Sequence, residues 1–285
     1  MPAGSHRFPV GAIRCTVLSD GYYSYPIPWL FPDADPQQLH HSLDRHRLSP
    51  DHAVTPLTCL LIETGRHVIL VDTGAGDSWR TAGAILARLE IEGIRARDVD
   101  TVILTHAHPD HIGGTLDARG RPAFPNARHV LSESEWDFWM TGRADVSPLP
   151  LPKELKSGIR DTAQRCLHAI RFQVEPVVAE CEIVPGVRVL PAPGHTPGHL
   201  AVLIESEGER LLNLADAAAH PLHLEEPGWP NGFDLAPGPA AATRRELAER
   251  AAAEGMHVMA FHFPFPSVGT LARRSEGGWE WTPGW

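Results

Sequence analysis

Apolar positions recur at every second residue in several short runs and at every third or fourth in a few longer ones, and these two periods separate strands from helices. Residues 8–20 (Phe8 to Asp20) alternate loosely and predict an opening strand. Tyr22 to Pro36 is rich in aromatics and Pro and reads as a loop, yet Trp29, Leu30 and Phe31 make it too apolar for a plain linker. Thr58 to Glu63 and His67 to Val71 predict a hairpin around Thr64-Gly65-Arg66. Ser78 to Glu92 has helical spacing, with Ala82, Ile85, Leu86 and Leu89 on one face. Val99 to Leu104 is a short β-branched strand, and Arg128 to Leu131 is another, followed by a helix that Ser132 or Ser134 caps and that carries Trp136 and Trp139.

Downstream of a Pro-rich break at Pro148 to Pro152, Lys153 to Ile170 predicts a helix. Strands follow at Cys181–Val184, Val187–Leu190, Leu200–Glu205 and Arg210–Leu214. Ala240 to Glu254 is an amphipathic helix ended by Gly255, His257 to Phe261 is a last core strand, and the tail from Trp279 to Trp285 is aromatic and turn-rich. No internal repeat and no linker interrupts this order. The expectation is one α/β domain over 1–285, with two sheets packed face to face and helices outside. Segment 1–55 supplies the opening strand and the aromatic loop.

Composition narrows the partners. With 42% hydrophobic and 21% charged residues the chain is ordinary for a soluble protein. No apolar run reaches the roughly 18 residues of a membrane span. Met1 to Val10 lacks the basic start and apolar core of a signal peptide, so a cytoplasmic location without a membrane partner is expected. A net charge of −10 repels polyanions and argues against a nucleic-acid partner. The four cysteines, Cys15, Cys59, Cys166 and Cys181, form no C-x-x-C pair, so neither a zinc ribbon nor a redox motif is offered, and they read as reduced, mostly buried thiols.

Seventeen histidines are many for this length, and their placement points to a use for imidazole. Thr105-His106-Ala107-His108-Pro109-Asp110-His111-Ile112-Gly113-Gly114 follows a strand. His106 and His108 are two apart and share a face of an extended chain, Pro109 ends the strand, and Asp110 and His111 open the next turn. Gly113 and Gly114 allow the backbone to pack closely there. A second cluster, Gly194-His195-Thr196-Pro197-Gly198-His199, lies between two strands. Asp216 ends the apolar run Leu211 to Ala215, and His262 ends Val258 to Phe261. Each cluster falls at the carboxyl end of a strand, where α/β sheets place their sites. Imidazole and carboxylate without thiolate suit zinc and its first-row neighbours manganese, iron and cobalt.

H-x-H-x-D-H, then G-H-T-P-G-H, then a strand-end Asp and a strand-end His, preceded by Val71-Asp72-Thr73-Gly74, resembles the metallo-β-lactamase superfamily in order and content. The resemblance runs from about Gly11 to His262. It implies the αββα sandwich: two packed mixed β-sheets with helices on the outer faces. It also implies two divalent metal ions as cofactors, with His106, His108 and His195 on the first, Asp110, His111 and His262 on the second, and Asp216 bridging both. Asp72 would hold a ligand histidine in its tautomer, and His199 would support the site from behind.

The bridging Asp216 separates the chain from true metallo-β-lactamases, which generally lack it. Only 263–285 follow His262, too little for the helical domain of glyoxalase II, and the only lysines, Lys153 and Lys156, do not make the basic arm of ribonuclease Z. His108 stands where flavo-diiron proteins carry Glu. Leu18-Ser19-Asp20-Gly21, the Trp29-Leu30-Phe31 loop, Phe233-Asp234 before Thr243-Arg244-Arg245, and His262-Phe263-Pro264-Phe265-Pro266 are similar to lactonases and methyl-parathion-hydrolase-like enzymes.

The implied function is a dinuclear lactonase or esterase that uses a metal-bridging hydroxide, with phosphotriester hydrolysis as the alternative. Asp110 would shuttle the proton. Many such lactonases carry Tyr three residues after the bridging Asp; here Ala219 takes that place, and His220 is the candidate donor instead. Trp29, Leu30, Phe31, Phe263 and Phe265 are expected to line an apolar substrate pocket, although the 29–31 aromatics would also suit the interface of the homodimer that the resemblance suggests.

Overall fold

Alternate residues of one strand feed two different cores, and this sets the layering. In the strand His52–Glu63, Leu57, Cys59 and Leu61 point into one apolar cluster while Leu60 and Ile62 point into another. In the strand Leu200–Ser206, Leu200, Val202 and Ile204 join the cluster of Leu60 and Ile62, while Ala201 and Leu203 face a third. A strand buried on both faces needs a layer on each side. The shared cluster is therefore the space between two sheets, and the other two lie beneath helices. The structure is a computed structural model and describes residues 4–285.

The first sheet has the order β1 (Ser5–Val10), β2 (Ile13–Pro26), β3 (His52–Glu63), β4 (Val68–Val71), β5 (Thr101–Ile103), β6 (Arg128–Ser132) and β7 (Val174–Val177). β1 to β4 pair antiparallel and β4 to β7 parallel. The second runs β8 (Cys181–Val184), β9 (Val187–Pro191), β10 (Leu200–Ser206), β11 (Glu209–Asn213), β12 (His257–Met259), β13 (Val268–Arg273) and β14 (Trp279–Pro283), antiparallel except where β12 lies parallel to β11. The helix Lys153–Ile170 covers the first sheet through Ile159, Ala163, Cys166, Leu167 and Ile170; Pro237–Ala253 covers the second through Leu247, Ala248 and Ala251. The result is the αββα sandwich of two mixed sheets. The four cysteines are all free, and no described helix is long and apolar enough to cross a membrane.

The local differences from the sequence reading have physical causes. The opening segment is two strands, because Gly11 (φ +54°) turns the chain back between them. Tyr22–Pro26 is not loop: it extends β2 past the bulge at Ser19/Gly21 and pairs with His52–Pro56, forming a projecting ribbon. A helix at Pro36–Arg45 was legible in Asp35-Pro36, since Asp35 accepts from the N–H groups of Gln37 and Gln38 and Pro occupies the first turn. The helix expected over 78–92 is confined to Ile85–Ile91. The buried Asp20 carboxylate accepts N–H bonds from Ala75, Gly83 and Ile85, which pins the preceding residues as a loop. The tail is a strand, β14, with Trp279 buried. β12 ends at Met259, so His262 arrives on a turn rather than at a strand end.

Candidate metal centre

Five loops meet at one end of the sandwich. β4 leads into Asp72, β5 into His106 and His108, and Pro109 starts a one-turn helix, Pro109–Ile112, that turns Asp110 and His111 inward. The close packing expected at Gly113 and Gly114 is present: a Cβ on Gly113 would lie 2.2 Å from the Ala75 carbonyl oxygen, and one on Gly114 2.0 Å from that of Thr73. The loop between β9 and β10 carries His195 and His199, a one-turn 3-10 helix after β11 carries Asp216, and the turn after β12 carries His262.

All seven proposed ligands are buried and converge. Candidate ligand atoms group as His106/His108/His195, as His106/His111/Asp216 and as Asp110/His111/His262, each set within 4.8 Å. Asp216 joins the sets: Oδ1 is 3.3 Å from His111 Nε2, while Oδ2 is 3.4 Å from His195 Nε2 and 3.3 Å from His262 Nε2.

Distal nitrogens are tied back so that Nε2 faces the centre. His111 Nδ1 lies 2.8 Å from Asp72 Oδ2, His195 Nδ1 lies 2.9 Å from Asp234 Oδ1, and His262 Nδ1 donates to the Pro56 carbonyl at 3.1 Å. An acceptor on one ring nitrogen sets the tautomer that leaves the other free to bind. His199 sits one step behind. Its Nδ1 donates to the Ala192 carbonyl and its Nε2 accepts the Asp216 N–H at 3.1 Å, so it holds the backbone of the central carboxylate.

Burial, reinforced by the neighbouring histidines, keeps His106 and His108 neutral, well below the usual imidazole range. Burial opposes charge on His111 too, but Asp216, Asp72 and Asp110 outweigh it and raise its pKa well above that range. Asp216 is likewise penalised by burial yet held well below the carboxylate range by His262 and His111. His106 Nε2 and His108 Nε2 are buried with no hydrogen-bond partner, and His111 Nε2 and Asp216 Oδ1 have only their long 3.3 Å contact with each other, which is not aligned as a hydrogen bond. Orphaned buried donors and acceptors are costly. Imidazole nitrogens and a carboxylate aimed at one space are a donor set for divalent zinc-like ions, so the residues fit two such ions.

A cavity of about 380 Å³ opens onto His108, Asp110, Asp216 and His262. Trp29 and Leu30 line it as expected, but three other aromatics do not. Phe31 is buried in a local cluster against His223 and Trp229, so it forms neither pocket nor interface. Phe263 is buried beneath the helix Pro237–Ala253, and Phe265 packs at the inter-sheet core, because the turn after His262 sends both away from the cavity. His220 also falls outside the lining: its Nδ1 accepts the Leu222 N–H and its ring stands edge-on to Phe31, while Ala219 takes the wall position.

Several residues escaped the sequence reading as site residues. Glu135, fully buried, accepts from Ala107 N–H, Gly198 N–H and Trp139 Nε1–H, tying the two histidine loops together. Asp234 orients His195, and Arg244, buried beside it, bonds the Ala217 and Trp229 carbonyls. Tyr25 and Tyr23, from the projecting ribbon, form part of the cavity wall. Phe233-Asp234 had stood out only as a point of resemblance to lactonases and methyl-parathion-hydrolase-like enzymes, not as a support for His195.

The family model of the metallo-beta-lactamase superfamily matches residues 53–255, and the chain belongs to that superfamily. Among curated relatives, an N-acyl homoserine lactonase of Bacillus cereus is 27% identical over 218 residues, covering 69% of this chain and 78% of the relative. Among solved structures, AidC, a dizinc quorum-quenching lactonase in complex with a product, N-hexanoyl-L-homoserine, superposes with a TM-score of 0.92 at 27% identity, covering 99% of this chain and 98% of that one. The hydrolase AbOPH gives 0.87 at 28% identity, again covering 99% and 98%.

Proposed function

We propose that the protein is a dinuclear metal-dependent lactonase whose substrate is an N-acyl lactone with an apolar acyl chain. The carrying observation is the cavity: its floor is made of metal-ligand side chains, and its wall is mostly apolar, with Trp29, Leu30, Trp79, Leu155, Ile159 and Phe233 set beside the polar Asp77, Ser78, Glu154, Thr162, Arg165 and Asn231. Such a space suits a polar ring at the floor and a hydrocarbon chain along the walls. The lactonase relative and the AidC likeness support the same reading.

Two divalent ions, zinc in this proposal, would be held by His106, His108, His195, Asp110, His111, His262 and the shared Asp216, and when bound supply Lewis acidity and an ionised water at neutral pH. The protein's own groups do the rest. Asp72, Asp234 and the Pro56 carbonyl hold three imidazoles in register. Asp110, at the cavity floor with Oδ2 3.4 Å from His262 Nε2, carries the attacking water's proton to the ring oxygen as the ester bond breaks. The aromatic and aliphatic part of the wall, Trp29, Leu30, Trp79 and Phe233 among it, limits bulk water at the floor.

The test compares kcat/KM for a long-chain N-acyl homoserine lactone and a dialkyl aryl phosphotriester on one metal-analysed preparation. A lactone preference of several decades is expected; a triester preference would refute the assignment.

A further inference from the structure

Ala219, three residues after Asp216, lines the cavity with a methyl group and offers no side-chain hydrogen-bond donor there. Tyr25, on the extension of β2, lines the same cavity. Its ring is edge-on to His262, with centroids 6.2 Å apart, and is gripped by Tyr23 at 4.7 Å and by Phe233 at 5.3 Å. The residue is only 7% exposed. Among the described residues its hydroxyl takes part in no side-chain hydrogen bond, and it is not among the sealed polar atoms without partners, so it opens on the cavity. A phenol held rigidly by three rings beside a reactive floor, with its donor unspent, is a preorganised dipole.

We infer that Tyr25 is a catalytic residue of this chain, its phenolic O–H donating a hydrogen bond to the substrate's carbonyl oxygen as that oxygen becomes negative. The inference rests on the lactonase reading above. When the water oxygen bonds to the carbonyl carbon, the C=O π pair moves onto the carbonyl oxygen, and the phenol stabilises that charge while keeping its own proton. When the pair returns, the ring C–O bond breaks and the alkoxide takes the proton carried by Asp110. Tyr25 thus supplies from the first sheet's ribbon a donor that the Asp216 turn lacks.

The test is Tyr25→Phe, which keeps the ring contacts and removes only the hydroxyl. Zinc-loaded wild type and variant are compared on a long-chain N-acyl homoserine lactone, with metal content and Tm measured on the same samples. A fall in kcat of about 100-fold, the scale of losing one such donor, with KM, metal content and Tm unchanged is expected. Wild-type kcat in the variant, an effect confined to KM, or a loss that tracks lost metal or lowered Tm would each overturn the inference. A wild-type enzyme that opens no lactone would refute the substrate class, and this inference with it, before the variant is read.

Discussion

Asp234 Oδ1 lies 2.9 Å from His195 Nδ1, and Asp234 Oδ2 lies 3.4 Å from the buried Arg244 guanidinium, so one carboxylate ties a ligand histidine to the helix Pro237–Ala253. Arg244 in turn bonds the Ala217 carbonyl, next to Asp216. Two ligands brought from different strands are thus braced by a single buried ion pair.

Asp234→Ala removes the acceptor that fixes the His195 tautomer. Metal affinity should fall about 10- to 100-fold, the usual cost of such a loss. Competition with a chromophoric chelator measures it. Stability should fall as well, because Arg244 is left buried without its counter-charge.

Asp216→Asn keeps the shape but removes the charge that faces His111, His195 and His262. Metal retention and turnover are expected to collapse together. A variant that is fully active with one ion per chain would eliminate the bridging role.

Gly158 lies inside the helix Lys153–Ile170 and lines the cavity, and a Cβ there would meet nothing within 4 Å. Glycine in a helix interior costs about 1 kcal/mol relative to Ala, and here no neighbour requires it. Its absent side chain is room in the cavity. Gly158→Ala should raise Tm. Gly158→Leu should lower kcat/KM for long acyl chains while sparing short ones, and an unchanged chain-length profile would show that substrate does not reach this helix.

His129 faces the helix-side core from β6, and burial depresses its pKa from 6.5 to about 4. Above pH 6.5 both folded and unfolded states hold it neutral. As the pH falls below 6.5 the unfolded chain takes up a proton that the folded one refuses until about 4. Stability is therefore complete above the unfolded pKa and is lost across this window, by about 3 kcal/mol in total. Urea unfolding of His129→Leu and wild type at pH 7 and pH 4.5 measures the difference, and the variant should lose less on acidification.

The ligand set could be read from the chain because the chemistry is local. H-x-H-x-D-H packs four ligands into one strand end and one turn, and Asp72, His195, Asp216 and His262 each follow an apolar run that marks a strand. The two-sheet layering was equally legible, since β3 and β10 alternate between two apolar faces. The substrate wall was not. Phe31, Phe263 and Phe265 are as apolar as Trp29, and only the turn that each follows decides whether its ring meets the cavity or a core. Tyr25 lay in a segment whose Pro and aromatic content suggested loop. It is a strand because β3, more than 25 residues away, supplies its hydrogen bonds. Glu135 gave no signal at all: a carboxylate on a helix normally faces water, and only the backbone N–H groups of Ala107 and Gly198, brought together by the packing of the two sheets, make its burial favourable. Metal ligands are specified by residue type and short spacing, both of which are written in the sequence. The wall and the supports behind the ligands depend on which distant backbone satisfies a polar group, and that is decided only when the two sheets close on each other.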